Sequence, residues 1–204
     1  MLRNYIKIAW RNIARNKVFS FINIAGLCIG LACCMLILLY TKDEVSFDKF
    51  HENKNNLYQI TCKITEKDGK QMNYGIASMI QGQAFKDEIP EIEAVVRVKE
   101  RDYIVKKGNE TSYEFATWVD NNFFTVFSFP LIAGNPKTVL SDIHSIVLTE
   151  EIALKYFGKS NPIGKIMQLE MNDKFEPFVV TGVAKNAPQN SSIKFKMLLP
   201  YKYE

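Results

Sequence analysis

Histidine, cysteine and clustered carboxylates are the side chains best able to do chemistry, and in this chain they are scattered. His51 and His144 are the only histidines. They are far apart, and neither stands in metal-ligand spacing with a cysteine or another histidine. Three of the four cysteines, Cys28, Cys33 and Cys34, fall in an apolar run where they act as small hydrophobes, and Cys62 is alone outside it. Asp87, Glu88, Glu91 and Glu93 gather around Pro90, a pattern that reads as a helix end and turn rather than a paired acid and base. No nucleophile elbow, phosphate-binding glycine loop or zinc-helix motif occurs. The expectation is a protein that is not an enzyme, with no catalytic residue, metal site or cofactor.

The elements that position these residues begin with a charge asymmetry. The first forty residues hold five of the 26 basic side chains and none of the 22 acidic ones. Val18–Tyr40 is an uncharged apolar stretch of about 23 residues, or about 34 Å of helix, enough to cross a hydrocarbon core of about 30 Å. It is longer than a signal-peptide core and lacks a small-residue cleavage pattern. Residues 18–40 are therefore expected to be a transmembrane helix. Arg3, Lys7, Arg11, Arg15 and Lys17 precede it, so the N-terminus is expected in the cytoplasm. The remaining 164 residues are nearly neutral, with 21 basic and 22 acidic side chains, which excludes a nucleic-acid footprint.

Within residues 1–17, Leu2, Tyr5, Ile6, Ala9, Trp10 and Ile13 recur at helical spacing, with Arg3, Lys7, Arg11 and Arg15 on the rest of the surface. This predicts an amphipathic helix lying at the membrane interface, with Tyr5 and Trp10 at headgroup level and Arg3, Lys7, Arg11, Arg15 and Lys17 facing anionic lipid. Asn16-Lys17 is the expected bend. Gly26 and Gly30, one turn apart, form a G-x-x-x-G spacing that admits a closely packed partner helix.

Residues 41–204 have the length of one domain. Leu57–Glu66 alternates as a strand, and Lys67-Asp68-Gly69-Lys70 carries a hairpin signature. Ala77–Glu88 reads as a helix stopped by Pro90. Ile92–Lys99 and Asp102–Lys107 read as two strands about a turn at Glu100-Arg101, followed by a Gly108-Asn109 turn and a strand over Thr111–Val119. Asn121–Phe127 reads as a short helix supplying three phenylalanines to a core. Ser145–Leu148 is a buried strand, Thr149 caps a helix over Glu150–Tyr156, and Gly158 closes it. Strands follow over Lys165–Glu170, Phe175–Ala184, with Pro177 marking an edge or bulge, and Ser192–Leu199. With no regular βαβ repeat the class is α+β: an N-terminal amphipathic helix, one transmembrane helix and a mixed α+β domain. The apolar run at the C-terminus is expected to continue in a longer protein.

Several stretches together resemble a known family. They are Tyr5-Ile6-Lys7-Ile8-Ala9-Trp10-Arg11-Asn12, Asn23-Ile24-Ala25-Gly26-Leu27 and Asp43-Glu44-Val45-Ser46-Phe47-Asp48-Lys49-Phe50-His51. Further on come Val119-Asp120-Asn121-Asn122-Phe123-Phe124, Phe127-Ser128-Phe129-Pro130-Leu131, Ile146-Val147-Leu148-Thr149-Glu150 and Asn161-Pro162-Ile163-Gly164-Lys165. Val180-Thr181-Gly182-Val183 and Pro188-Gln189-Asn190-Ser191-Ser192-Ile193 complete the set. In this order they resemble the start of the MacB/FtsX-type ABC transporter permeases, in the form common in Bacteroidetes. The resemblance implies a MacB-like periplasmic core domain over 41–204 and a location in the cell inner membrane. It implies a permease that works as a dimer with a separate ATP-binding subunit, in export or mechanotransmission, with a periplasmic partner or substrate. The motif residues read as structural: glycines and prolines set turns and the phenylalanines fill a core. The competing reading is a single-pass anchored periplasmic binding or sensor module.

Overall fold

The computed structural model describes residues 2–108 and 110–203. Asn109 of the expected Gly108-Asn109 turn and the terminal Glu204 lie outside the described residues, as does the side chain of Leu2. The chain divides into two compact units, residues 1–47 and 48–204.

The first unit is two helices. α1 spans Leu2–Arg15 and α2 spans Lys17–Ser46. The break falls at Asn16, whose φ of −107° and ψ of 59° leave the helical region. Its amide side chain donates to Asn12 Oδ1 at 3.0 Å, and Ser20 Oγ donates back to the Ile13 carbonyl at 3.2 Å. α2 runs on past Tyr40 through Lys42, Asp43 and Glu44. In these last turns Thr41 Oγ1 donates to the Ile37 carbonyl at 2.8 Å and Ser46 Oγ to the Asp43 carbonyl at 2.7 Å. α2 is long and apolar enough to cross a membrane.

The second unit is α+β. A small hairpin, β1 (Cys62–Thr65) with β2 (Gln71–Tyr74), precedes α3 (Gln81–Glu88). Its turn works as the sequence predicts: Gly69 takes a φ of 84°, and the Glu66 N–H donates to the Lys70 carbonyl at 2.9 Å. The strand is shorter than expected, and the helix starts four residues late. There the Gln81 side-chain oxygen accepts from both the Ser78 N–H, at 3.1 Å, and Cys62 Sγ, at 3.2 Å. That tie fixes residues 78–80 as a turn and fastens the helix start to β1.

The main sheet contains β3 (Val98–Lys107), β4 (Glu110–Val119), β5 (Leu131–Ala133), β6 (Ser145–Thr149), β7 (Ile166–Met171), β8 (Lys174–Ala184) and β9 (Met197–Pro200). The order is β5-β8-β6-β9-β4-β3-β7, and β7 also pairs with β8. The pairings therefore close into a six-stranded ring, which removes most free edges. β8 makes this possible by its length. Its first half pairs with β7 through Met171↔Lys174 to Ile166↔Val179, and its second half pairs in parallel with β6 through Thr149↔Ala184. Pro177 sits in the first half, opposite Gln168, where no strand among the described residues lies on its other side.

The expected turn at Glu100-Arg101 is not there. β3 is one ten-residue strand in which Glu100 pairs with Thr117 and Arg101 with Ala116. Glu100, Arg101 and Asp102 are all exposed, so their charges mark a stretch of strand solvated on both faces, not a loop. The final strand is also shorter than the alternation implied, beginning at Met197.

Alternation along the strands sorts the core into two clusters. Ala116, Trp118, Ile146, Leu148, Phe178, Val180, Met197 and Leu199 point one way, with Ile152 and Tyr156 of α5 (Glu150–Phe157). Val119, Val147, Ala184 and Leu198 point the other way, onto Phe123, Phe129 and Phe195. Phe123 and Phe124 come from α4 (Phe123–Val126) and are buried. Thr149 caps α5 by accepting from the Ile152 N–H at 3.4 Å.

Candidate functional site

α1 carries the residues expected at a membrane interface. Arg3, Lys7, Arg11 and Arg15 follow one another at four-residue steps and form one stripe. Tyr5, Ile6, Ala9, Trp10 and Ile13 occupy the opposite stripe. Tyr5 and Trp10 are 71% and 74% exposed in the isolated chain, so their apolar surface is open to whatever the helix rests on. Lys17 opens α2. A Cβ added at Gly26 or Gly30 would meet nothing within 4 Å, which leaves both backbones approachable from outside. Cys28, Cys33 and Cys34 are exposed on the same helix.

In the second unit the segment that follows α2 is held by a clasp that sequence reasoning did not foresee. The Asp48 N–H donates to the Asn190 carbonyl at 2.9 Å, and Asp48 Oδ1 accepts from the Ser192 N–H at 2.9 Å. Three residues on, His51 is buried, with Nδ1 accepting from the Ser128 N–H at 3.1 Å. The neighbouring Glu52 N–H donates to Ser128 Oγ at 2.9 Å. The rings of Phe50, Phe127 and Phe129 lie 4.0 to 5.3 Å from the imidazole. Burial lowers the His51 pKa, partly offset by Asp48. Residues 48–51 of one motif stretch thus meet two others, 127–131 and 188–193. The sequence signal was their shared identity as motifs, in which glycines and prolines read as turns and phenylalanines as core.

The other chemically capable residues stay apart. His144 Nε2 lies 3.7 Å from Glu176 Oε2, far in sequence from His51 and in a different setting. Tyr203 donates to Glu176 at 2.5 Å, and its pKa is pushed up to about 12, first by burial and then by that bond. Asp87, Glu88, Glu91 and Glu93 are all exposed. Among the described residues no group of three or more histidine, cysteine or acidic side chains could hold a metal ion.

A second clamp lies at the start of β3. The Arg97 guanidinium grips Asp120 through both oxygens, at 2.6 and 3.0 Å, and its own backbone N–H donates to the same carboxylate at 2.8 Å. The Tyr201 ring lies 3.8 Å from the guanidinium carbon. The bond to Asp120 raises the Arg97 pKa.

Two helices, the second apolar enough to cross a membrane, followed by an α+β domain with a ring of paired strands, define the class of chain. Comparison gives the family: residues 20–204 match the MacB-like periplasmic core domain, and the chain belongs to it. Its fold is similar to a domain of a protein described as a permease from Porphyromonas gingivalis, with a TM-score of 0.60 at 24% identity. That alignment covers 71% of this chain and 61% of the other, so the chain spans about three fifths of its length. The periplasmic region of MacB from Actinobacillus actinomycetemcomitans is also similar, at 22% identity, a TM-score of 0.46 and coverage of 61% and 55%. No curated protein matches.

Proposed function

We propose that the chain serves in the permease subunit of an ABC transporter, in export or mechanotransmission. α2 would span the cell inner membrane with α1 on its cytoplasmic face, against anionic lipid, and the β-rich unit in the periplasm. A separate ATP-binding subunit would hydrolyse ATP in the cytoplasm, and the permease, working as a dimer, would carry that motion to the periplasmic domain and its partner or substrate. The chain would act as a transmitter and not as an enzyme. The observation that carries this reading is the family match over residues 20–204, which includes most of α2 as well as the domain.

The basic α1 before α2 supports the orientation. The Asp48–Ser192 and His51–Ser128 bonds support the mechanical role, because they fasten residues 48–52 to two separate loops of the domain. A pull on residue 48 would be delivered to folded structure and not absorbed by slack chain.

The test is purification of the native protein from detergent-solubilised membranes of its own organism, followed by mass spectrometry. Stoichiometric recovery of a polypeptide with a phosphate-binding glycine loop is the expected result. Recovery with no ATPase under several mild detergents would overturn the permease reading and favour an anchored binding module.

A further inference from the structure

The β3–β4 hairpin and α5 enclose a groove whose chemistry nothing above uses. One part is a cavity of about 220 Å³ lined by Lys107, Glu110, Thr111, Ser112, Lys155 and Tyr156. It adjoins a second of about 420 Å³, which shares Lys107 and Tyr156 and is walled by Phe157, Ile166 and Met167. The groove exists because the strand ring opens there. β3 and β7 pair only at Val105↔Leu169 and Lys106↔Gln168. Beyond that point Lys107 and Gly108 part from Met167 and Ile166, and the end of α5 lies in the gap.

The wall of the groove is built around a buried carboxylate. The Glu114 side chain is 2% exposed and accepts from Lys155 Nζ at 2.5 Å and from the Tyr156 hydroxyl at 2.8 Å. Burial first, and then Glu114, push the Tyr156 pKa to about 12, so its hydroxyl keeps its proton. That proton goes to Glu114. The 2.6 Å contact between Tyr156 and Ser112 must then run from the Ser112 hydroxyl to the Tyr156 oxygen. The Tyr156 hydroxyl is thereby held by both Ser112 and Glu114, and the residue lines both cavities.

Charge decides what the groove suits. An ammonium has three donors. Lys155 gives one to Glu114, and Lys107 gives one to the Lys155 carbonyl at 3.3 Å. Both ammoniums also lie within 6 Å of the Tyr156 ring centre, at 5.8 and 5.6 Å. Each has donors left for a guest. Lys106 lines the second cavity. The Glu114 charge is already matched by Lys155, and Glu110 is the one acid among the lining residues. Beside the cations, Phe157, Ile166 and Met167 offer apolar surface, with Ile166 61% exposed. Volumes of this size suit a small molecule.

We propose that this groove binds a small carboxylate or phosphate carried on an apolar body, the anion between Lys107 and Lys155 and the body along Tyr156, Phe157 and Ile166. The proposal is independent of the transport reading.

The test is calorimetric titration of the full chain in lipid nanodiscs with N-acetylphenylalanine, its uncharged amide, acetate and phenyl phosphate. N-acetylphenylalanine or phenyl phosphate should bind at least about tenfold more tightly than acetate or the amide. The tighter of the two assigns the anion as carboxylate or phosphate. Lys107→Glu and, separately, Lys106→Glu should each weaken binding by about tenfold or more with the circular dichroism spectrum unchanged. Lys137→Glu removes the same net charge from an exposed residue outside the groove and should leave binding intact. Equal binding of the amide, equal loss in Lys137→Glu, or no binding of either anion would overturn the proposal.

Discussion

The Ser128 N–H donates to Nδ1 of His51 across 77 residues of sequence, inside a ring of phenylalanines. That bond requires the imidazole to be neutral at Nδ1. Burial lowers the folded-state pKa below the ordinary 6.5. The unfolded chain therefore binds the proton more readily, and acid favours unfolding. The His51 contribution is fully present above pH 6.5 and is lost as pH falls through the depressed folded value. Urea midpoints of the chain should decline between about pH 7 and pH 5. His51→Gln, which keeps an acceptor but does not titrate, should flatten that decline. An unchanged slope in the variant would remove His51 from the account.

Gly134 and Gly69 separate two costs of losing a glycine. Gly134 has a φ of 105°, and an added Cβ would come within 2.6 Å of Val139 Cγ1 and 2.9 Å of the Thr181 carbonyl oxygen. Gly69 has a φ of 84° with nothing within 4 Å. Gly134→Ala should cost at least about 2 kcal/mol, from strain plus displaced β8 backbone. Gly69→Ala should cost about 1 kcal/mol, from strain alone. Chemical denaturation of the two variants checks the order, and equal losses would refute the close-approach argument.

Arg97 and Asp120 join the start of β3 to the end of β4 with a two-pronged grip that lysine cannot reproduce. Arg97→Lys should destabilise the β-rich unit by about 1–2 kcal/mol. Asp120→Asn should cost at least as much, since the Arg97 N–H and guanidinium lose a charged acceptor together. A double-mutant cycle by urea unfolding measures the coupling. Strict additivity would mean the pair contributes nothing.

Thr111–Val119, Ser145–Leu148 and Phe175–Ala184 were legible as strands because they are rich in β-branched and aromatic residues, and Ser145–Leu148 is buried on both faces. Thr149 and Gly158 were legible as helix ends because capping is local chemistry. β3 was misread because Glu100 and Arg101 look like a turn when their partners Thr117 and Ala116 are unseen. Ring closure through β7 and β8 was not legible at all. It depends on one long strand changing partners midway, at Val179. The Asp48 clasp was hidden for the same reason, since its bond to Ser192 spans 144 residues. The groove wall at Glu114 was likewise out of reach, because Tyr156 of α5 meets Ser112 and Glu114 of β4 across 44 and 42 residues of sequence.

Gly30 tests the helix-packing part of the proposed function. A leucine there has open space in the isolated chain, so it should leave the β-rich unit folded. In the membrane it should block close approach of a partner helix. Gly30→Leu is expected to reduce recovery of partner subunits on purification while proteolysis of the β-rich unit stays as in the parent. Undiminished recovery would remove Gly30 from the interface.

The central claim is that ATP hydrolysis on one side of a membrane moves the domain on the other. The most direct measurement is the electron–electron distance distribution between nitroxides at Thr41→Cys, near the end of α2, and Lys137→Cys in the β-rich unit. It would be recorded on a background without native cysteines, in nanodiscs with the co-purified ATPase. The account expects the distribution to shift between the nucleotide-free and ATP-trapped states. Superimposable distributions from a complex that still hydrolyses ATP would contradict it.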